Sequence, residues 1–339
     1  MKHNAVAVFC GCVGLAFFLA VSSSSAQKQK PLTADNQQIT DDDVVRVSTN
    51  LVTVPIGVMD HQGRFVSDLK EEQFHLFEDG VEQKIAYFES AEKPFTVALL
   101  LDTSDSTQFK LKDIQDAALA FVDQLRPDDR VMVAAFDKSI SVLAEATSDR
   151  RVLESAIRRA QTGGGTGLYN AIDVIIRHRL SRIRGRKAIV LFTDGVDTGT
   201  KGPTYESTLH LSEELDALVY AIQYNTYDET ARKALDMDAQ AMTAKGERLD
   251  VAYARAERYL RLLSDKTGGR FYSAESLKHL REVFTTIAKE LREQYSLGYY
   301  PKSAGQDAER RIKVKVSVPG VVVKARRGYV YKAGAKSGQ

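Results

Sequence analysis

At 339 residues the chain is long enough for two domains, and 43% hydrophobic with 27% charged residues is ordinary for globular protein. A formal net charge of +2 excludes the broad basic field that nucleic acid or a polybasic membrane contact requires. Its two cysteines, Cys10 and Cys12, both fall in the first apolar run, so the rest of the chain has no disulfide framework to lean on.

The first residues read as a targeting segment. Lys2 and His3 precede an apolar run from Ala5 to Val21, and Ser22 to Ser25 and Ala26 follow. Ser24-x-Ala26 fits a small-residue cleavage site before Gln27, so residues 1–26 are expected to be an export signal. The alternative is an uncleaved anchor, although the run is short for a span. Lipidation is disfavoured because Phe9 stands where a small residue should precede Cys10. Cleavage would remove Lys2 alone among the charges, taking +2 to +1. An exported chain without disulfides fits a bacterial periplasm or surface, secreted or cell-attached, and must hold its fold by core packing.

Residues 27–43 are polar (QKQKPLTADNQQITDDD) and read as a disordered linker. Residues 44–91 read as a small β unit. Val45, Val47, Leu51 and Thr53 alternate with polar neighbours, which is strand periodicity. Asp60 to Gly63 has turn chemistry, and Arg64-Phe65-Val66 is expected to begin a returning strand. Phe74 to Glu78 is another strand, ended by the Asp79-Gly80 turn, and Val81 to Phe88 is expected to pair back on it. His61 and His75 read as turn and strand-face residues.

Residues 95–293 have α/β periodicity. Val97 to Leu101 is apolar throughout, as in a strand buried on both faces, and ends abruptly at Asp102. The segment DTSDS then sets Asp102, Ser104 and Ser106 at alternate positions, and Gln108 to Leu125 is helix-like. Strand, oxygen-rich loop, helix is the order in which open α/β sheets place ligands outside the carboxyl ends of their strands. Val131 to Phe136 is a second buried strand, with Ser139 to Ala144 at its edge. Ser148 or Asp149 can N-cap the helix that follows. The run Gly163-Gly164-Gly165-Thr166-Gly167 allows a sharp fold before a helix from Leu168 to Leu180. It is no P-loop, since Leu168-Tyr169 stands where Lys-Ser/Thr is needed. Ser181 to Lys187 reads as a solvated basic turn. Ala188 to Phe192 is a strand delivering Asp194, with Asp197 a nearby loop or capping acid. Tyr205 to Leu215 is helical and Ala217 to Ile222 is a further buried strand.

Residues 226–252 form a charged, Ala-rich insert, with a surface helix expected over Asp228 to Ala244. Tyr253, Ala256, Tyr259, Leu260 and Leu263 recur at helical spacing and read as core. Arg270 to Ser273 is a last short strand and Leu277 to Gln294 a last helix. Residues 294–332 return to strands (Tyr295 to Tyr300, Arg311 to Val318, Val321 to Lys324, Arg326 to Tyr331), and 333–339 is a tail. Neither small β piece is stable alone. The two are expected to pack together as one sandwich-like domain with the α/β domain inserted.

DTSDS resembles the D-x-S-x-S signature of von Willebrand factor type A domains. GGGTGLYNA and AIVLFTDGVD follow in the family's order, and the flanking segments resemble the bacterial secreted group of such proteins. The resemblance implies a doubly wound, mostly parallel sheet with helices on both faces. It also implies a metal-ion-dependent adhesion site at Asp102, Ser104, Ser106, Thr166 and Asp194. Oxygen-only ligands suit a hard cation, Mg²⁺ foremost, with Mn²⁺ or Ca²⁺ as substitutes. The family then binds an acidic side chain of a partner protein at the open coordination position, with no catalysis. Two other functions compete: a Mg²⁺-dependent phosphohydrolase, which would want D-x-D where residue 104 is Ser, and a structural scaffold with no metal-bridged ligand.

Overall fold

The computed structural model describes residues 51–91, 93–107, 110–224, 226, 242–243, 245–274, 276–301 and 308–331. The readings made for 1–50, for 227–241 and for 333–339 lie outside the described residues. Val52–Asp60 (β1) carries its periodicity into burial: Val52, Val54, Ile56 and Val58 all point inward. Phe74–Glu78 (β2), Val81–Gln83 (β3) and Ile85–Glu89 (β4) follow.

Thr96–Asp102 (β5) is buried along its whole length, as its unbroken apolar run requires. The α/β part continues with Leu111–Asp123 (α1), Arg130–Phe136 (β6), Ile140–Thr147 (β7) and Arg150–Arg158 (α2). Leu168–His178 (α3), Lys187–Thr193 (β8), Tyr205–Glu213 (α4) and Leu218–Tyr224 (β9) come next. Leu249–Thr267 (α5), Arg270–Ala274 (β10) and Leu277–Arg292 (α6) complete it. Local chemistry sets the helix ends. The Asp149 carboxylate accepts from Arg151 N and Val152 N at the start of α2. Gly268, at φ 83°, closes α5 in the left-handed region.

The sheet order is β10-β9-β8-β5-β6-β7, parallel except for β7 at one edge. One face packs Val97, Leu99 and Leu101 against α1, α2 and α6. The other packs Ala98 and Leu100 against α3, α4 and α5. Each fully buried Leu or Val contributes on the order of 2 kcal/mol. Chain progression reverses at β5, which has β6 on one side and β8 on the other, so the crevice beyond Asp102 lies at the topological switch point. The fold is the doubly wound α/β architecture expected above.

Gln294–Tyr299 (β11), Ala308–Val316 (β12), Val321–Ala325 (β13) and Gly328–Tyr331 (β14) pair with the N-terminal strands. Two antiparallel sheets result, β13-β1-β11-β4 and β14-β12-β2-β3. Between them lie Val54, Ile56, Leu76, Tyr295, Leu297 and Tyr299. A buried Glu78 carboxylate accepts from Tyr299 OH at 2.5 Å and Tyr329 OH at 2.8 Å, pinning strands from both sheets.

Three local expectations are corrected. Arg64-Phe65-Val66 forms no strand: Phe65 makes a single bridge to Met59. β11 covers that edge of β1 as far as Gly57, so only the strand's end is open to it. Val81 to Phe88 is not one returning strand: β3 pairs with β2, whereas β4 crosses to the other sheet and pairs with β11. Ser181 to Lys187 is not a solvated turn throughout. Lys187 is buried on Asp216 at 2.8 Å, and the Arg186 guanidinium donates to Ala91 O, Lys93 O and Leu291 O. Burial holds the Arg186 pKa down at about 10. Arg326 does the same from the sandwich side, donating to Glu213 O, Leu215 O and Thr53 O. These arginines tie the amino ends of the parallel strands to the sandwich and leave the carboxyl ends for the site.

Candidate metal centre

Asp102 is the last residue of β5 and is fully buried. Its Oδ1 accepts from Ser104 N at 3.0 Å, a local turn that Asp readily makes. Thr107 closes the loop by donating its hydroxyl to Asp102 O and Ser104 O. The hydroxyls of Ser104 and Ser106, two positions apart, stand 3.1 Å from each other.

Asp194 follows β8, the strand beside β5, and is also buried. Its Oδ1 accepts from Val196 N at 3.0 Å. The Ser106 side chain lies close enough to this carboxylate to favour its charged form, which brings the DTSDS loop up to the second aspartate. Four of the five expected residues thus gather at the carboxyl ends of two adjacent strands.

The fifth, Thr166, is buried on the glycine loop that abuts this group. Gly163 N donates to Thr103 O at 2.8 Å, and Thr166 exchanges backbone bonds with the 197–200 loop through Thr198 and Gly199. The Thr166 hydroxyl shares no hydrogen bond with the other four among the described residues. A Cβ at 163 would lie 1.7 Å from Asp137 Oδ2, so a side chain there requires Asp137 or the loop to shift. Asp197 turns out to be a cap from a distance: it accepts from Tyr169 N at the start of α3, from Thr200, and from Lys245 Nζ at 3.0 Å.

Three partners were not among the expected residues. Thr193 donates to Asp102 Oδ2 at 2.5 Å. Thr226 donates to Asp194 Oδ2 at 3.0 Å, and Tyr253 OH reaches the same oxygen at 3.4 Å. Thr193 was readable as a hydroxyl adjoining Asp194. Thr226 and Tyr253 carry no local signal, being 32 and 59 residues from Asp194 in sequence. Tyr253 is core, as its spacing implied, but its hydroxyl also serves the site.

Burial first, and the charge of Asp194 second, push the Asp102 carboxyl from its ordinary 3.8 up to about 7. Burial also raises the Asp194 carboxyl, opposed by its hydrogen bonds from Ser106, Val196, Thr226 and Tyr253. No ion pair reaches either aspartate among the described residues. Two neighbouring carboxylates in a low-dielectric crevice, ringed by neutral hydroxyls, are a donor set that fits a hard divalent cation. No group of three or more His, Cys, Asp or Glu side chains occurs among the described residues, so hydroxyls and not further acids would complete the shell.

Residues 97–196, which include β5 from Val97 onward, the glycine loop and Asp194, match the family model described as von Willebrand factor type A domain. That stretch is similar to a von Willebrand factor type A domain and makes up less than a third of the chain. An uncharacterized protein of Synechocystis is 30% identical over 131 residues, covering 34% of this chain and 31% of that protein. A UPF0353 protein of Mycolicibacterium gilvum is 23% identical over 210 residues, 58% of this chain and 60% of that one. The chain therefore spans less than two thirds of the length of these curated relatives. Among solved structures, a von Willebrand factor type A protein from Catenulispora acidiphila aligns over 84% of this chain and 74% of its own, at 11% identity and TM-score 0.47. The von Willebrand domain of a type V pili tip protein from Porphyromonas gingivalis aligns over 58% and 94%, at 14% identity and TM-score 0.44.

Proposed function

We propose that this von Willebrand factor type A domain is a metal-dependent protein-binding module of an exported bacterial protein, and not an enzyme. Asp102, Ser104, Ser106, Thr166 and Asp194 would hold the cation, Mg²⁺ or in its place Mn²⁺ or Ca²⁺. When bound, the cation supplies a Lewis-acidic position for an acidic side chain of a partner protein. The observation that carries this reading is the pair of buried aspartates at the ends of adjacent strands, with no ion-pair partner among the described residues. Isolated buried carboxylates are costly, and a divalent ion is the counter-charge their oxygen-rich surroundings accept.

The residues divide the work. Asp102 and Asp194 supply charge, held in orientation by Thr193, Thr226 and backbone N–H groups. Ser104, Ser106 and Thr166 would supply neutral oxygens, which would leave a bound cation electrophilic toward an incoming carboxylate. The export reading rests on Lys2, the run Ala5 to Val21 and the serines before Ala26.

The test is titration calorimetry of the full chain with MgCl₂. Asp102→Ala and Asp194→Ala should each abolish binding while circular dichroism stays that of the parent. Unchanged Mg²⁺ affinity in both variants overturns the reading. Mg²⁺-dependent turnover of p-nitrophenyl phosphate that is lost in Asp102→Ala would replace it with hydrolysis.

A further inference from the structure

The outer face of the sandwich sheet β14-β12-β2-β3 carries a row of cations. Along β12, Ile312 is buried between the sheets, while Arg311, Lys313 and Lys315 are exposed at alternate positions. Alternate strand residues are spaced by about 6.7 Å on one face. Arg327 stands beside the row, since Ile312 N donates to Arg327 O at 2.8 Å. With Phe77 and Asp79 these four cations line a concavity of about 610 Å³.

Of the row, Arg311 alone has a counter-charge close by, the Asp79 carboxylate. None of Arg311, Lys313, Lys315 and Arg327 has an ion-pair partner among the described residues. Asp79 is occupied by Arg311 N at 2.9 Å and by the Arg310 guanidinium at 3.2 Å. Glu82 is turned to His75 at 2.9 Å, and Glu309 stands at the head of the row beyond Arg311. Lys315 rests its ammonium 5.1 Å from the centre of the Phe77 ring. Like charges two residues apart on one face repel, and an anionic ligand relieves that repulsion.

We propose that this concave face docks an extended polypeptide bearing carboxylates at every second residue. The complementarity is one of period: an extended peptide repeats its same-side groups at the spacing of the cations on β12. A groove suits a chain better than a planar bilayer. The sandwich joins the amino ends of the parallel strands, so this face lies away from the crevice of Asp102 and Asp194. The two contacts therefore operate independently, and the second requires no metal.

The experiment titrates the full chain with a fluorescent peptide of alternating Glu and Thr. Its controls are a block isomer of the same composition and an oligothymidylate of equal length. The alternating peptide should bind most tightly, weaken with added salt, and be unaffected by EDTA or by Asp102→Ala. Lys313→Glu combined with Lys315→Glu should weaken it roughly tenfold or more, and the milder Lys313→Gln with Lys315→Gln should weaken it less. Equal binding by both double variants overturns the proposal. So does loss of binding in EDTA, or binding of the block isomer or the oligonucleotide that matches the alternating peptide. Mg²⁺ affinity in the same variants should stay at the parental value, so this inference and the metal-centre reading fail separately.

Discussion

The Thr193 hydroxyl donates to Asp102 Oδ2 at 2.5 Å, joining the carboxyl ends of two adjacent parallel strands. The same oxygen of Thr193 accepts from Gly195 N at 2.9 Å, so it also shapes the turn that carries Asp194. One hydroxyl orients both aspartates. Thr193→Val keeps the shape and removes the donor. Outer-shell partners of this kind are worth about 10- to 100-fold in metal affinity. Mg²⁺ affinity should fall by that order with little change in melting temperature, as read by calorimetry and thermal denaturation.

The raised carboxyl of Asp102 predicts a pH dependence of definite sign. A group whose proton is held more tightly in the folded state adds stability below its unfolded pKa and loses it as pH rises through the folded one. Metal-free protein should therefore lose stability between pH 4 and pH 7, the window from 3.8 to about 7. Saturating Mg²⁺ should restore it, with a larger rise in melting temperature at pH 8 than at pH 5. Asp102→Asn should flatten the profile and remove the Mg²⁺ response.

Gly163 and Asp137 set a steric test of the glycine loop. A methyl at 163 would meet Asp137 Oδ2 at 1.7 Å and its Cβ at 2.9 Å, displacing the loop that carries Thr166. Gly163→Ala should weaken Mg²⁺ binding without unfolding the chain. Adding Asp137→Ala removes the carboxyl group and leaves only the Cβ contact at 2.9 Å, and should restore part of the affinity. A double variant as weak as the single would show that the loop fails for another reason.

Gly269 has no such escape. A Cβ there would lie 2.0 Å from Val219 O and 2.6 Å from its carbonyl carbon, both backbone atoms of β9. Gly269→Ala should destabilise by about 3 kcal/mol or more, since overpacking against fixed backbone cannot relax by rotamer change. Urea denaturation reads this directly.

Much of the α/β part was legible because burial on both faces leaves a plain mark. Thr96–Asp102 could be read as a strand from its apolar run, and its end from Asp102. The two sheets of the sandwich were less legible. Lys84 separates β3 from β4, yet nothing in Val81 to Phe88 marks a crossing between sheets, because alternation is the same on either side. Arg186 and Lys187 looked solvated because a charged pair in a turn is usually so. Their carbonyl and carboxylate partners lie up to 105 residues away.

By itself the sequence determined the strand, loop and helix order of the α/β part and the five oxygen-bearing candidates at its strand ends. These follow from local periodicity and from the short spacing of DTSDS. Only the tertiary structure decided that Ser106 reaches Asp194, that Thr193, Thr226 and Tyr253 support the two aspartates, and that four cations share one concave sheet face. Such relationships depend on strand register and helix placement, which are set by packing between segments far apart in the chain, and no local pattern encodes them.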